Sequence, residues 1–252
     1  MANYENQPRY GATVARGADS AVDEGLRAHM LRVYNYMIVA LVITGLTAYG
    51  TFSLAFTEVN GQLAYTQLGQ ALFGSPLMWV IVLAPLALVF FLSFRIQSMS
   101  VGTAQIVFWV YAALLGVSLS IIFAAYTASS ITQVFFITAA TFGAMSLWGY
   151  TTKRDLTGMG SFLFMGLIGI VIASIVNIFL GSNALGFAIS IIGVLVFTGL
   201  TAYDTQKIKE MYYVGDDGTV AGRKAIMGAL SLYLDFINLF LMLLRLFGQS
   251  RN

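Results

Sequence analysis

The chain has 252 residues, of which 58% are hydrophobic and only 10% are charged, whereas soluble domains carry about 25% charged residues. This composition excludes an ordinary soluble domain and indicates an integral membrane protein. The net charge of +2 gives no support for a nucleic-acid partner. The chain has no cysteine, which excludes disulfides and thiolate-held metals. The single histidine, His29, lies in the polar N-terminal region, where we expect a solvated surface residue.

Residues 1–30 are polar and rich in glycine and alanine, and they contain no apolar run. A segment of such low hydrophobicity cannot bury enough apolar surface to fold by itself. We therefore predict a disordered tail over residues 1–30, with a short amphipathic lead-in from Asp23 as the alternative for its last part, followed by a single transmembrane domain over residues 31–248.

Seven apolar stretches follow the tail, each close to the 17 to 25 or so residues that a helix needs to cross the hydrocarbon core of a bilayer. They fall approximately at residues 33–56, 77–96, 104–126, 131–150, 161–181, 184–206 and 226–247. The sequence thus predicts an all-α polytopic membrane protein with seven transmembrane helices.

The links between these helices alternate in charge. Residues 57–76, 127–131 and 181–184 contain no lysine or arginine, and eleven of the thirteen basic residues lie on the other side if all seven helices cross. The positive-inside rule then places the N-terminus in the cytoplasm and the C-terminus outside. A re-entrant last segment, which would return the C-terminus to the cytoplasmic side, stays open as an alternative.

Small residues recur at helical spacing on two of the predicted helices, where they let helix backbones approach closely in lipid. On the third and sixth helices these residues are Ala112, Gly116, Ser120, Ala124, Gly186, Ser190 and Gly193. We interpret both faces as tight packing surfaces.

The last helix carries a polar stripe within an apolar sequence, GALSLYLDFINLFLMLLRLFG at residues 228–248. At 100° per residue, Ser231, Asp235, Asn238 and Arg245 fall on one side of this helix. A charged group at that depth costs roughly 2.5 to 3.5 kcal/mol and therefore faces protein or water. We predict that the seventh helix lies at the centre of the bundle.

Asp204, near the end of the sixth helix, and Asp235 are the two acidic residues inside the predicted membrane region. Two neighbouring carboxyl groups in a low-dielectric site titrate as a unit, and when ionised they supply oxygen ligands for a cation such as calcium. The alternative is a structural role, in which Arg95, Asn238 or nearby tyrosine and serine hydroxyls satisfy the two carboxylates.

Paired aspartates on adjacent helices also suit an intramembrane aspartyl protease. The dipeptide Tyr203–Asp204 resembles one half of the presenilin-type signature. The Gly-x-Gly-Asp half is missing, because Leu232 to Asp235 read LYLD. The protease therefore remains a minor alternative.

The runs GLTAYDTQKIK, ending the sixth helix, and LYLDFINLF in the seventh resemble the bacterial branch of the Bax inhibitor family, also called the transmembrane Bax inhibitor motif family. The resemblance extends over about residues 30–248. It implies a seven-helix bundle around the last helix and a pH-sensitive calcium leak. It also implies that Asp204 and Asp235 form the proton sensor and that Arg95 latches the aspartate of the sixth helix.

The resulting hypothesis is a cation leak channel of the bacterial inner membrane, not an enzyme. Asp204, Asp235 and Arg95 would gate it, Tyr203, Ser231 and Asn238 would support the gate, and the two aspartates would be calcium ligands. Calcium would be the transported ion, without a tightly bound cofactor. The main alternative is a non-conducting scaffold that modulates another membrane protein such as a protease. The segment 210–227 between the two motifs is predicted to be a solvated hairpin.

Overall fold

The computed structural model describes residues 10–251, and the side chains among them from Glu24 onward. In chain order the elements are α1 (Tyr10–Ala55), β1 (Phe56–Val59), β2 (Gln62–Tyr65), α2 (Gln67–Phe73), α3 (Leu77–Arg95), a 3-10 turn (Ile96–Ser98), α4 (Val101–Leu119), α5 (Ile121–Ala125), α6 (Ala128–Thr151), α7 (Thr157–Leu180), α8 (Asn183–Glu210) and α9 (Gly218–Phe247). Seven helical segments in this part of the chain are long and apolar enough to cross a membrane. The prediction of an all-α polytopic membrane protein is confirmed.

Polar side chains at the links explain where several of these helices start. The hydroxyl groups of Ser100, Thr127 and Ser182 accept backbone N–H bonds in the first turns of α4, α6 and α8. The carboxylate of Asp217 does the same for α9. These groups satisfy backbone donors that a helix N-terminus leaves without an internal partner.

The first helix begins earlier than the sequence predicts. Residues 10–30 belong to α1, whereas we predicted a disordered tail there; residues 1–9 lie outside the described part of the chain. His29 and Met30 are buried, and the His29 ring lies 5.8 Å from the ring of Tyr212 between centroids. The expectation of a solvated histidine is therefore wrong, because the helix continues through this position and carries the ring onto the end of the bundle.

The last helix, α9, lies at the centre of the bundle as predicted. It packs mainly against α8, α1, α6 and α4, while α3 packs on α4 and α7 packs on α8. The apolar side of α9 is buried at Leu232, Phe236, Leu239 and Leu243. The six-helix wrapping that the resemblance implied is thus built mainly from four direct neighbours, with α3 and α7 on the periphery.

Contacts at its two ends show that α9 crosses the whole bundle. Near its start, the Arg223 side chain donates a 2.7 Å hydrogen bond to the carbonyl of Met99, in the link after α3. After its end, the Arg251 N–H donates to the carbonyl of Ala125 and Thr127 N–H to Gln249, in the link before α6. The re-entrant alternative is therefore excluded. We call the end with residues 99–100, 152–156 and 211–217 the basic face, and the other end the opposite face.

The connection between α8 and α9 is shorter than we predicted. Only residues 211–217 lie outside the helices, and α9 starts at Gly218 instead of near residue 226. The segment 210–227 is thus mostly helix and not a solvated hairpin. Capping by Asp217 explains the early start, because its carboxylate accepts the N–H groups of Thr219 and Val220.

The opposite face carries a β-hairpin that we did not predict. Strands β1 and β2 pair with Phe56 opposite Tyr65 and Val59 opposite Gln62. The turn residues Asn60 and Gly61 have φ values of 54° and 79°, the backbone that two-residue hairpin turns require. The Asn-Gly dipeptide is a strong hairpin signal and could have predicted this turn.

The predicted small-residue faces form close helix contacts. A side chain at Gly116 would collide with Thr47 and the carbonyl of Thr44 on α1, and one at Gly193 would collide with Met242 on α9. Ser120 and Ser190 are fully buried. The interpretation of these faces as packing surfaces is consistent with the geometry of the bundle.

Candidate functional site

Asp204 on α8 and Asp235 on α9 lie side by side in the interior of the bundle. Both side chains line the same pocket. Asp235 is 5% exposed, and Asp204 is half-buried. Two carboxyl groups that line one pocket in a low-dielectric interior titrate as a unit, because ionising both is costly.

The pair opens into a pocket of about 550 Å³ between α7, α8 and α9. Ser231 and Asn238 line it on either side of Asp235, one helical turn away in each direction, and Tyr203 lines it beside Asp204. All three residues that we predicted to support the pair therefore surround it. The wall from α7 contains Ser161 and apolar residues.

Close contacts between α8 and α9 set the register that brings the two carboxyl groups together. The helices are antiparallel, and they approach closely at Gly193 against Met242 and at Gly228 against Ile208. Asp204 and Asp235 lie between these two contacts. Small residues on both sides of the pair thus determine how near the two acidic side chains come.

A second set of contacts anchors α8 to α6. A Cβ atom at Gly149 would collide with the backbone carbonyl of Ala202, two residues before Asp204. The hydroxyl groups of Ser146 and Thr205 are 2.9 Å apart and hydrogen-bonded. The Lys209 ammonium donates a 2.9 Å hydrogen bond to the carbonyl of Tyr150. The helix that carries Asp204 is thereby held on the side facing away from the pocket.

The side of α9 opposite Asp235 is anchored by a buried tyrosine. The hydroxyl groups of Tyr233 and Thr44 are 2.6 Å apart, and Thr44 also donates to the carbonyl groups of Ala40 and Ala112. The Tyr233 ring packs edge-on against Phe108 at 5.7 Å between centroids. These contacts join α1, α4 and α9, and they hold Asp235 at its depth in the bundle.

Asp235 is not satisfied in the way that a purely structural role requires. Its Oδ2 atom is buried and has no hydrogen-bond partner among the described residues. The Asn238 amide donates to the carbonyl of Leu234 at 2.8 Å and so does not neutralise the carboxylate. An unpaired buried polar atom is costly, and the described part of the chain has three others, His29 Nε2, Trp109 Nε1 and Thr198 Oγ1.

Arg95 is not brought to the aspartate pair in this structure. Its side chain is exposed at the end of α3, a peripheral helix whose main partner is α4. The cation that lines the pocket is Lys207, one turn after Asp204, and its ammonium lies 5.8 Å from the ring centre of Tyr203. The i+3 spacing of Lys207 from Asp204 could have indicated this position from the sequence.

The chemistry available at the site comes from two carboxyl groups, the Lys207 ammonium and a few neutral polar atoms. Within the described part of the chain, no group of three or more histidine, cysteine or acidic side chains could hold a metal ion. Calcium requires about six to eight oxygen ligands, so the two aspartates could supply only part of its shell. The arrangement suits proton exchange and transient cation contact.

Comparison with known proteins places the chain in a family. A family model described as inhibitor of apoptosis-promoting Bax1 matches residues 26–252. The chain is 50% identical to the inner membrane protein YbhL of Escherichia coli strain K12 over 231 residues, which cover 90% of this chain and 94% of that protein.

Two further relatives cover similar shares of the chain. An uncharacterized protein of Rickettsia prowazekii is 53% identical over 91% of this chain and 93% of its own length. An uncharacterized protein of Caulobacter vibrioides is 47% identical over 93% of this chain and 94% of its own length. Together with the match to the family model, these relatives confirm the resemblance carried by the two helix motifs, and the chain belongs to the Bax inhibitor-1 family of membrane proteins.

Proposed function

We propose that the protein is a pH-sensitive cation leak channel of the bacterial inner membrane, with calcium as its transported ion and the N-terminus in the cytoplasm. The observation that carries this proposal is that Asp204 and Asp235 line one pocket inside the bundle, with Ser231 and Asn238 beside them. The relative from Escherichia coli is named an inner membrane protein, which supports the location. From Glu24 onward, nine of the eleven basic residues lie toward the basic face, which supports the orientation.

The proton acts on this pair by changing its charge. With one shared proton the two carboxyl groups attract each other and hold α8 and α9 together. When that proton leaves, two negative charges face each other at short range, which favours a change in the packing of the two helices and the entry of a cation. Each protonation state thus favours a different arrangement of α8 and α9, which is the requirement for a pH-controlled gate.

The route for the ion would follow the polar stripe of α9. Ser231 and Asn238 line the pocket around the pair, and Arg245 lies nearer the opposite face, beside Gly186 of α8. Between them, the side chain of Met242 packs against Gly193. In this conformation the route is therefore closed between the aspartate pair and the opposite face. Opening requires α8 and α9 to separate at Met242.

The arginine latch is not part of this proposal, because Arg95 does not reach the pair. Lys207 occupies the pocket in its place, and its positive charge opposes the entry of a cation. Replacing Lys207 by glutamine is expected to raise calcium flux by about twofold to fivefold, the small size reflecting the exposure of this side chain. Flux into dye-loaded liposomes would measure the effect, with Lys153→Gln as the matched loss of charge on the same face. Equal flux in the two variants would contradict a role for Lys207.

Calcium entry into liposomes that contain the purified protein tests the proposed function itself. We expect flux above that of protein-free liposomes, and a different rate at pH 6 than at pH 8. Absence of flux at every pH, together with stable co-purification of a membrane protein, would instead favour the non-conducting scaffold. Cleavage of a transmembrane peptide that either Asp→Ala change abolishes would favour the aspartyl protease.

A further inference from the structure

A long apolar groove lies on the side of the bundle away from the aspartate pocket. It runs between α1 and α6, with α9 as its floor at Phe236, Ile237 and Phe240, and has a volume of about 1040 Å³. Along α1 it extends from Met30 to Ala48, a distance of about 27 Å at 1.5 Å per residue. That length is close to the thickness of the hydrocarbon core of a bilayer.

The groove is open to its surroundings along this length. Leu46 on one rim and Phe136 and Leu147 on the other are more than half exposed. Glycine residues leave space in both walls, because a side chain added at Gly45 of α1 or at Gly143 of α6 would meet no atom within 4 Å. The space between the two walls is therefore not filled by side chains of this protein.

Polar and basic groups gather where the groove reaches the basic face. The hydroxyl groups of Tyr34 and Ser146 are hydrogen-bonded across it, and the Lys209 ammonium contacts Tyr150 at its edge, 5.2 Å from the ring centre. Arg27 lies one turn before Leu31 on the helix side that forms the groove, and its side chain is exposed. The end of the groove at the basic face therefore carries positively charged side chains.

We propose that this groove binds a phospholipid with an anionic headgroup from the leaflet at the basic face. Its acyl chains would occupy the space beside Gly45 and Gly143, and its phosphate would lie near Arg27 and Lys209. The pairing of a bilayer-length apolar groove with terminal cations matches the chemistry of this ligand, because an anionic lipid gains from both contacts. A transmembrane helix of another protein would gain little from these cations.

A ligand in the groove would contact the central helix, α9. Phe236 follows Asp235 directly in sequence, and its ring packs edge-on against Phe142 at 5.4 Å and Phe135 at 5.5 Å between centroids. All three residues line the groove. A bound acyl chain therefore supports the apolar side of α9 opposite to the side that carries the carboxyl group. The binding site itself does not depend on the proposed channel activity.

Native mass spectrometry of the full chain tests the site, after release from a mild detergent with added phosphatidylglycerol or phosphatidylcholine. We expect the wild type to retain phosphatidylglycerol in preference to phosphatidylcholine. Gly143→Phe is expected to lower the bound fraction by at least about tenfold, because the ring displaces several methylene groups of the chain. The matched control, Gly169→Phe, adds the same ring where there is also no atom within 4 Å but outside the groove, and should retain lipid.

Two further variants test the contact with the lipid headgroup separately from the contact with the acyl chains. Arg27→Gln is expected to lose the preference for phosphatidylglycerol, and Arg27→Lys to keep it. If Gly143→Phe does not fold, Gly45→Phe in the other wall makes the same test.

Equal retention of lipid by Gly143→Phe and Gly169→Phe would overturn the proposal. So would a wild type that retains no lipid and forms dimers that Gly143→Phe disrupts, since the groove would then hold a second copy of the chain. Equal binding of the two lipids by the wild type would overturn the assignment of an anionic headgroup.

Discussion

Replacing Asp235 by asparagine is expected to abolish the pH dependence of calcium flux between pH 6 and pH 8. The amide has nearly the same shape and can still donate a hydrogen bond to Asp204, but it cannot gain or lose the shared proton. A gate controlled by one proton changes its state ratio by up to about tenfold per pH unit. The wild type should therefore show a marked change in rate across this range, and Asp235→Asn less than about a twofold change. Flux into dye-loaded liposomes at pH 6, 7 and 8 gives both profiles.

Asp155→Asn is the matched control for this experiment, because it makes the same chemical change at an exposed position of the link between α6 and α7. Hydrogen bonds from the side chain and the backbone N–H of Thr157 hold the pKa of Asp155 below its ordinary value. Asp155 is therefore ionised at every pH from 6 to 8, and its loss should leave the profile unchanged. A pH profile in Asp235→Asn that matches the wild type would rule out the carboxyl pair as the sensor.

Replacing Gly149 by alanine is expected to destabilise the protein, by about 1 to 3 kcal/mol in the free energy of unfolding. The added methyl group would be placed against the backbone carbonyl of Ala202, which cannot move aside as a flexible side chain could. Relief of this clash requires α6 and α8 to separate near Asp204. A thermal melt in detergent should show a Tm lower by several degrees, and the pH dependence of flux should change as well.

The neighbouring position Gly143 supplies the control on the same helix. An alanine there meets no atom within 4 Å and replaces a residue with a low helix propensity, so the Tm should stay the same or rise slightly. If Gly149→Ala and Gly143→Ala have the same Tm, close contact between α6 and α8 is not what positions Asp204. The comparison therefore isolates packing from a general effect of losing glycine.

Much of the architecture follows from periodicity and charge along the chain. The seven helices, the central place of α9 and the side of α9 that carries Ser231, Asp235 and Asn238 could be predicted, because helices in lipid must satisfy their own backbone and turn their polar residues inward. Helix ends were predicted less well. The start of α9 at Gly218 depends on capping by Asp217, a local effect that outweighs the polar composition of the segment.

Only some of the residues at the candidate site could be predicted from the sequence. Asp204 and Asp235 stand out in the sequence because acidic residues are rare at membrane depth. The sequence could not show whether Arg95 or Lys207 would lie near these aspartates, because both cations lie at the basic ends of their helices. The position of α3 at the periphery leaves Arg95 exposed, and only the packing of α7 on α8 places Lys207 at the pocket.

The sequence by itself determined the class of the protein, the number and order of its membrane helices, and the two acidic residues that a bilayer would not tolerate without a partner. Only the tertiary structure decided that these two carboxyl groups line one pocket, that His29 is buried, and that an apolar groove remains open beside Gly45 and Gly143. The physical reason is that hydrophobicity and helical periodicity are local properties, which determine where each helix forms and which of its sides is apolar. Contact between helices depends on where small residues such as Gly149, Gly193 and Gly228 allow two distant segments to approach.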